Sequence, residues 1–553
     1  MSKKILIVGG VAGGASAAAR LRRLDEQAEI VLFERDEHIS FANCGLPYYI
    51  GDTITDRSKL LVQTPQAMKQ RFNIDVRIFS EVVAIHSDTK SITVRSKDRG
   101  DYEESYDYLV LSPGAKPLMP PIEGIHHPKI TSLRNIADTD RMKALVNEQT
   151  IQHAVVVGGG FIGIEMAENL RELNIDVTVV EAAPHILAPY DTDMIAYAEQ
   201  ELMNHGIQLE LGNAVASFEH LKQEDNNNEQ INVHLKNGTA ITTDLVILAI
   251  GVQPDTAFLK ESNIALGTRG HILVNDAMET NIANIYAVGD AIEVTHFVSN
   301  TATAIPLAGP ANKQGRIVAD NIAGLSSTYK GTQGSSIIKL FDLTGAATGL
   351  NERALQQLAI PYHVIHLHPA SHATYYPDAS PIALKVIFDE QGKLLGAQAF
   401  GKDGVDKRID VIATAIRFGA SVTDLTELEL CYAPPYSSAK DPVNMAGYIG
   451  HNILADRLRV FVANELAERP IDETVLVDVR TKEEHDRGHI AGSISIPVDE
   501  LRDRLDELDK NKEIWVYCQV GLRGYTASRI LSQHGFNVRN LTGGYKSYTM
   551  SSL

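Results

Sequence analysis

The 553-residue chain is 44% hydrophobic and 22% charged, with 41 glycines and 21 prolines. Those proportions fit an ordinary globular protein and exclude collagen-like and low-complexity classes, and at roughly 150 residues per domain the length suggests three or four domains. Lys and Arg number 51 against 70 Asp and Glu, a net charge of −19, which argues against non-specific binding to nucleic acid or a membrane surface but leaves room for a local basic pocket.

No apolar run approaches the roughly 20 residues that span a bilayer. Cys44, Cys431 and Cys518 are far apart and odd in number, so no disulfide scaffold is expected and a reducing cytoplasm is the expected location. No Cys/His cluster has metal-ligand spacing, so no metal is expected. Lys3 and Lys4 ahead of an apolar stretch would suit a secretory leader, but Gly9, Gly10, Gly13 and Gly14 interrupt it and the pattern runs on into another strand.

In chain order, Ile5–Val8 reads as a strand, followed by a glycine turn, a helix over Ala15–Leu24 and a strand over Ile30–Phe33 that ends in Glu34. This is a βαβ unit. Asp107–Leu111 reads as a buried strand entering the turn Ser112-Pro113-Gly114. The first pattern then recurs: strand Ala154–Val157, glycine turn, helix Ile164–Leu173, strand Val177–Val180 ending in Glu181. Lys222–Gln230 is polar and Asn-rich, a solvated hairpin loop. Leu245–Ile250 is another buried strand before Gly251, and Thr280–Asp290 is a strand ending in Gly-Asp. From about Ser335 the alternation of Ile382–Phe388 and Leu394–Phe400 predicts an antiparallel sheet, with helices over Asp406–Phe418 and Pro442–Leu454. A linker is expected around Ala463–Thr474. A last β, α, β unit starts at Val475–Val477 and includes the strand Ile514–Tyr517.

Gly158, Gly160 and Gly163 form a full GxGxxG: a tight turn, a close backbone approach to a pyrophosphate, and close helix–strand packing, with the phosphate charge at the helix N-terminus. Glu181 suits a ribose 2′-OH and favours NADH. In the first unit Gly9 and Gly14 fit, but Val11 takes the middle position, and Gly10 and Gly13 supply the remaining freedom. Tandem units suggest two dinucleotides, one a flavin. Cys44, in Ser-Phe-Ala-Asn-Cys-Gly-Leu-Pro, follows the first unit where a flavin ring would lie. With no second cysteine near it, its oxidised form is a mixed disulfide, a persulfide or a sulfenic acid, and the substrate's thiol acts as resolving partner. Cys518 opens Cys-Gln-Val-Gly-Leu-Arg-Gly after a strand, an anion nest at a helix N-terminus that favours thiolate and persulfide, with Arg523 placed to hold an incoming anion. Cys431, before Tyr432, reads as structural, with a second redox role open if a partner subunit brings it near Cys44.

These motifs resemble the single-cysteine branch of the pyridine nucleotide–disulfide oxidoreductases, in its coenzyme A-disulfide reductase form, over residues 1 to about 450. From Val475 on, Asp478-Val479-Arg480 and the Cys518 loop resemble a single-domain rhodanese, so the whole chain resembles coenzyme A-disulfide reductases with a fused rhodanese domain, also described as NADH-dependent persulfide reductases. The resemblance implies an α/β fold: two Rossmann-like dinucleotide-binding domains, an α+β dimerisation domain and a C-terminal α/β rhodanese domain. It implies an FAD-binding domain at 1–118 and 255–328, an NAD(P)H-binding domain at 119–254, the dimerisation domain at 329–455, a linker at 456–464 and the rhodanese domain at 465–553.

The implied activity is an NAD(P)H-dependent flavoprotein reductase acting on coenzyme A (CoA) persulfides, polysulfides or CoA disulfide. The implied cofactors are FAD and NADH or NADPH, with CoA as substrate or bound ligand, in a homodimer with no nucleic-acid or membrane partner. Implied catalytic residues are Cys44, Cys518, Arg523, Tyr375 and Tyr432, the tyrosines reaching across the dimer, with Tyr376 and Tyr436 as neighbouring alternatives. Cofactor positions are Gly9, Gly10, Val11, Ala12, Gly13, Gly14, Glu34, Arg35, Asn43, Val82, Ser112, Gly114, Gly158, Gly160, Phe161, Ile162, Gly163, Glu181, Gly251, Gly289, Asp290, Pro306, Leu307 and Ala308. Substrate positions are Ser16, Arg20, Arg23, Ser40, Asn43, Arg71, Asn312 and Lys440, with Arg20 and Arg23 suiting CoA phosphates. Two other readings stand beside this one: an NADH oxidase or peroxidase cycling Cys44 through sulfenic acid, and a sulfur-carrier or redox-sensing protein.

Overall fold

A computed structural model describes residues 2–148, 151–221 and 229–551. The chain folds as two compact units, residues 1–186 with 206–332, and residues 187–205 with 333–553.

In the first unit the β-branched runs form two five-stranded parallel sheets. One orders its strands Ile285–Ala287, Tyr108–Leu111, Lys4–Val8, Glu29–Phe33 and Asp75–Arg77. The other orders Gln208–Leu211, Asp176–Glu181, His153–Val157, Leu245–Leu248 and Ile130–Thr131. Helices cover parallel sheets, so their central strands are apolar throughout, and Ile5, Leu6, Ile7, Val155 and Val156 are fully buried. The helices after the first strands run Ala12–Leu24 and Phe161–Glu172. Both begin three residues before the expected starts, because the glycines read as turn belong to their first turns. The expected hairpin loop lies, over 222–228, outside the described residues, and the strands flanking it, Val215–Leu221 and Gln230–Leu235, pair antiparallel.

The second unit holds the expected antiparallel sheet: Ser336–Leu340, Leu343–Gly349, Leu394–Gly401, Ile382–Phe388 and His363–Leu367, in that order. Helices Val405–Arg417 and Pro442–Leu454 follow. The C-terminal part is a parallel sheet ordered Val460–Phe461, Val538–Leu541, Glu513–Tyr517, Thr474–Asp478 and Ile494–Ser495. The polar stretch expected as a linker is therefore structured. Val460–Phe461 is an edge strand, and Ala463–Glu468 is a 3-10 helix whose Glu465 accepts from the backbone N–H of Val462. Its polarity reflects a capped, half-exposed turn rather than a tether.

Two histidines join these parts of the second unit. The His366 N–H donates to Thr542 Oγ1 at 2.7 Å, and His368 Nε2 lies 2.8 Å from Ser547 Oγ.

Lys385, fully buried on the strand Ile382–Phe388, is held by Asp191 at 3.0 Å, by Asp193 at 2.8 Å and by Glu352. Gln398 donates to Asp191 and Tyr362 to Glu352. Despite burial, His366 and Lys385 hold the Asp193 carboxyl well below the usual range. Its contribution to stability is therefore present above the ordinary carboxylate pKa and lost as acid protonates it. Lys385→Met leaves three carboxylates around an apolar side chain and is expected to cost about 3–5 kcal/mol. Thermal unfolding checks this, and an unchanged midpoint would count against the network.

Candidate active site

Both nucleotide turns depend on glycine. Gly9 has φ +93°, and a Cβ there would lie 2.1 Å from the Ser112 carbonyl oxygen. Gly158 has φ +110°, with Ala249 O at 2.4 Å from the same added atom. In the first turn the Gly10 N–H donates to Glu34 Oε2 at 2.9 Å and the Gly14 N–H to Ser112 Oγ at 3.1 Å. Burial pushes the Glu34 carboxyl up. In the second, the Gly159 and Ala183 N–H groups donate to the two oxygens of Glu181 at 2.6 and 2.7 Å. Each strand-end acid thus braces its own glycine turn while keeping further lone pairs for a ribose.

The cradles fit dinucleotides. A Cβ at Gly160 or Gly251 would meet nothing within 4 Å, so the second turn opens onto free space where Phe161 and Ile162 begin the helix. Beside the first turn, Asn43 Oδ1 is buried with no hydrogen-bond partner among the described residues. Val82 is buried and Gly114 has φ +69°. Pro306 and Leu307 lead into the helix that starts at Ala308. Arg35 is tied to Asp255 at 2.5 Å. Asp290 lies in the short turn Gly289–Ala291, where Arg134 donates to it at 3.0 Å and Gln314 accepts from Gly289 N–H at 2.8 Å. Arg134 and Gln314 were not among the sequence candidates, because nothing in their local pattern marks them.

Cys44 is exposed in the 3-10 turn Asn43–Gly45, directly before the helix Leu46–Ile50. That helix packs on Phe161–Glu172, with Asn169 filling the space above Gly51. Partial burial and the charges of Glu165 and Asp290 raise the Cys44 thiol pKa. The Glu165 carboxyl is itself pushed up to about 7 by burial and by Glu168, against a hydrogen bond from Tyr48. The Gly-Asp turn and the second nucleotide helix thus both bring acids to the lone cysteine. Sequence reasoning missed Glu165 and Tyr48; their signals were the acid two residues after Gly163 and the tyrosine four residues after Cys44.

The substrate candidates fall in different surroundings. Ser16 and Asn312 hydrogen-bond each other at 2.7 Å, and Arg20 pairs with Asp320 at 2.8 Å. Arg23 and Arg71 are exposed. Ser40 has φ +44° and takes part in backbone hydrogen bonds with Gly10 and Val62. Lys440, Tyr375, Tyr376, Tyr432 and Tyr436 lie exposed in the second unit, and the Tyr375 and Tyr432 hydroxyls are 2.7 Å apart. Cys431 beside them is exposed and free.

Also in the second unit, Cys518 is buried at the end of Glu513–Tyr517. The Gly521 N–H lies 3.1 Å from its Sγ, at the start of the helix Leu522–Gln533. Its carbonyl accepts from Tyr545 N–H at 2.7 Å. Arg523 spends both terminal nitrogens on Glu484, at 2.6 and 2.7 Å. Despite burial, Arg480 and His485 hold the Asp478 carboxyl low.

Glu165 offers a pH test. Above about pH 7 it is anionic and opposes the Cys44 thiolate. Glu165→Gln removes that charge and is expected to lower the pH midpoint of Cys44 alkylation by roughly one unit. Alkylation rates across pH measure it, and an unmoved midpoint rejects the coupling.

The family model described as pyridine nucleotide-disulphide oxidoreductase matches residues 3–315, its dimerisation domain matches 335–442, and a rhodanese-like domain matches 462–551. A coenzyme A disulfide reductase of Staphylococcus haemolyticus (strain JCSC1435) is 39% identical over 450 residues, covering 81% of this chain and 99% of that protein. The crystal structure of reduced Bacillus anthracis CoADR-RHD superposes with a TM-score of 0.96 at 52% identity, covering 100% of this chain and 98% of the other. An NAD-dependent persulfide reductase from A. fulgidus superposes with a TM-score of 0.90 at 34% identity, over 99% and 100% of the two chains. With two nucleotide cradles converging on one cysteine and matches that run through all three modules, the chain belongs to the pyridine nucleotide-disulphide oxidoreductase family and carries a C-terminal rhodanese-like domain.

Proposed function

We propose that the protein is an NAD(P)H-dependent flavoprotein that reduces CoA persulfide, polysulfide or CoA disulfide through Cys44, while its rhodanese domain handles sulfane sulfur. The observation that carries this reading is a single exposed cysteine beside two dinucleotide cradles, in a chain that also bears the Cys518 loop. The relatives named above for CoA disulfide and persulfide reduction support it.

The first cradle, with Glu34 and Asp290, is assigned to FAD and the second, with Gly160 and Glu181, to the nicotinamide nucleotide. Bound FAD supplies the two-electron relay between nicotinamide and sulfur. The Cys44 thiolate attacks the carbon-bound sulfur of CoA persulfide; the Sγ–S bond forms, the persulfide S–S bond breaks, and hydrosulfide leaves. Two electrons from NAD(P)H and one proton then return the Cys44–CoA mixed disulfide to Cys44 thiolate and free CoA thiol. Tyr432, hydrogen-bonded to Tyr375, is assigned the proton for the departing thiolate. In a homodimer, which the dimerisation domain supports, that exposed pair is supplied by the partner. Arg23 and Arg71 are assigned to CoA phosphates, and Arg20, Ser16, Asn312, Ser40 and Lys440 to its remaining contacts. Three unpaired cysteines in one chain support a cytoplasmic location; no described helix is long and apolar enough to cross a membrane.

Cys44→Ser is expected to abolish NADH oxidation driven by CoA disulfide or CoA persulfide. Cys518→Ser is expected to remove sulfur loading of the rhodanese domain while CoA disulfide reduction persists. Steady-state NADH consumption with each oxidant reads both. Substantial turnover by Cys44→Ser, or oxygen and peroxide outperforming every sulfur substrate, would reject the reading.

A further inference from the structure

The tyrosine hydroxyl pair rests on two segments without regular secondary structure. Tyr375 lies in residues 371–380, a loop closed at its base by the bridge between Ala370 and Pro381, and Tyr432 lies in residues 428–441. Both side chains are exposed. The approach of their hydroxyls to 2.7 Å therefore depends on how the two backbones are held, since a loop carries chemistry only where a rigid scaffold positions it.

Two adjacent residues in the first turn of the helix Val405–Arg417 provide that hold. Arg408 is only 1% exposed. Its Nη2 donates to the Ser371 carbonyl at 2.9 Å on the first loop, and to Ser437 Oγ and Asp441 Oδ2, each at 3.1 Å, on the second. Ser437 Oγ in turn donates to Asp441 Oδ2 at 2.7 Å, and Asp441 caps the helix Pro442–Leu454 by accepting from the Val443 N–H at 3.0 Å. The Ala373 N–H donates to the Ser437 carbonyl at 3.1 Å, so the loops also join directly. Lys407 Nζ lies 3.5 Å from Asp441 and donates to the carbonyl of Cys431, the residue before Tyr432, at 3.3 Å. A buried ion pair gains little stability over apolar packing of the same volume. This one spans two loops that share no sheet or helix, which a planar fork of donors can do and a single ammonium cannot.

We propose that Arg408, assisted by Lys407, is a positioning residue that aligns the Tyr375 and Tyr432 hydroxyls for proton delivery to the departing CoA thiolate. This rests on the reading that Tyr432 supplies that proton. Both cations act through the loops they hold, not on the reacting sulfur.

The test uses the full-length, flavin-loaded enzyme with CoA disulfide, kcat and KM being read across pH. Tyr432→Phe removes the donor and is expected to lower kcat about a hundredfold and to abolish its fall at alkaline pH. Arg408→Lys keeps a cation beside Asp441 but cannot fork to both loops, and is expected to lower kcat about tenfold with KM held within about twofold. Lys407→Gln, at a part-exposed position, is expected to lower kcat about threefold. In a Tyr432→Phe background neither substitution is expected to lower kcat further, because the hydroxyl it helps to place is gone. A general loss of folding would instead lower kcat in both backgrounds alike. If Arg408→Lys does not retain flavin, Lys407→Gln decides by the same pairing. Native kcat in the single variants, or losses that multiply in full with that of Tyr432→Phe, overturn the inference. Native kcat in Tyr432→Phe itself would reject the proton assignment beneath it.

Discussion

Two backbone approaches govern the first unit. A Cβ at Gly14 or at Gly163 would stand 2.0 Å from the carbonyl oxygen of Gly9 or Gly158, so each nucleotide helix can rest on its strand only with hydrogen at that position. This contact fixes where each helix begins and where its free N–H groups point. It also aims side chains further along: with Gly163 seated, Glu165 is delivered to the turn that carries Cys44. Cofactor cradle and thiol environment are therefore set by the same packing, and the acid of the Gly289-Asp290 turn also raises the Cys44 thiol.

The parts of this arrangement that were legible in the sequence share one property, in that their chemistry follows from local pattern. Apolar runs, glycine spacing and a terminal acid specified both βαβ units, and the lone Cys44 and the Cys518 loop were visible as motifs. What could not be read was pairing at long range. Arg523 looked available for an anion because Glu484 is distant in sequence, and Arg20 looked like a phosphate ligand before Asp320 came beside it. The stretch at Ala463–Thr474 looked like a tether because short 3-10 and edge-strand segments carry no periodicity.

Charge is distributed economically. The chain is acidic overall, yet many of its arginines and lysines are spent on internal carboxylates: Arg35 on Asp255, Arg134 on Asp290, Arg480 on Asp478, Lys385 on three acids. Such pairs fix geometry more than they add stability, since desolvation offsets much of the attraction. The exposed Arg23 and Arg71 are not among these pairs.

The bridge from His366 to Thr542 bears on more than domain placement. His363–Leu367 is the last strand of its sheet, and the outward amide of an outermost strand invites a foreign strand to zip onto it. Thr542 occupies that amide and Ser547 engages the next histidine, His368. The rhodanese-like domain thus closes part of that border, and a protein built on the same antiparallel sheet without such an appendage must blunt it by other means.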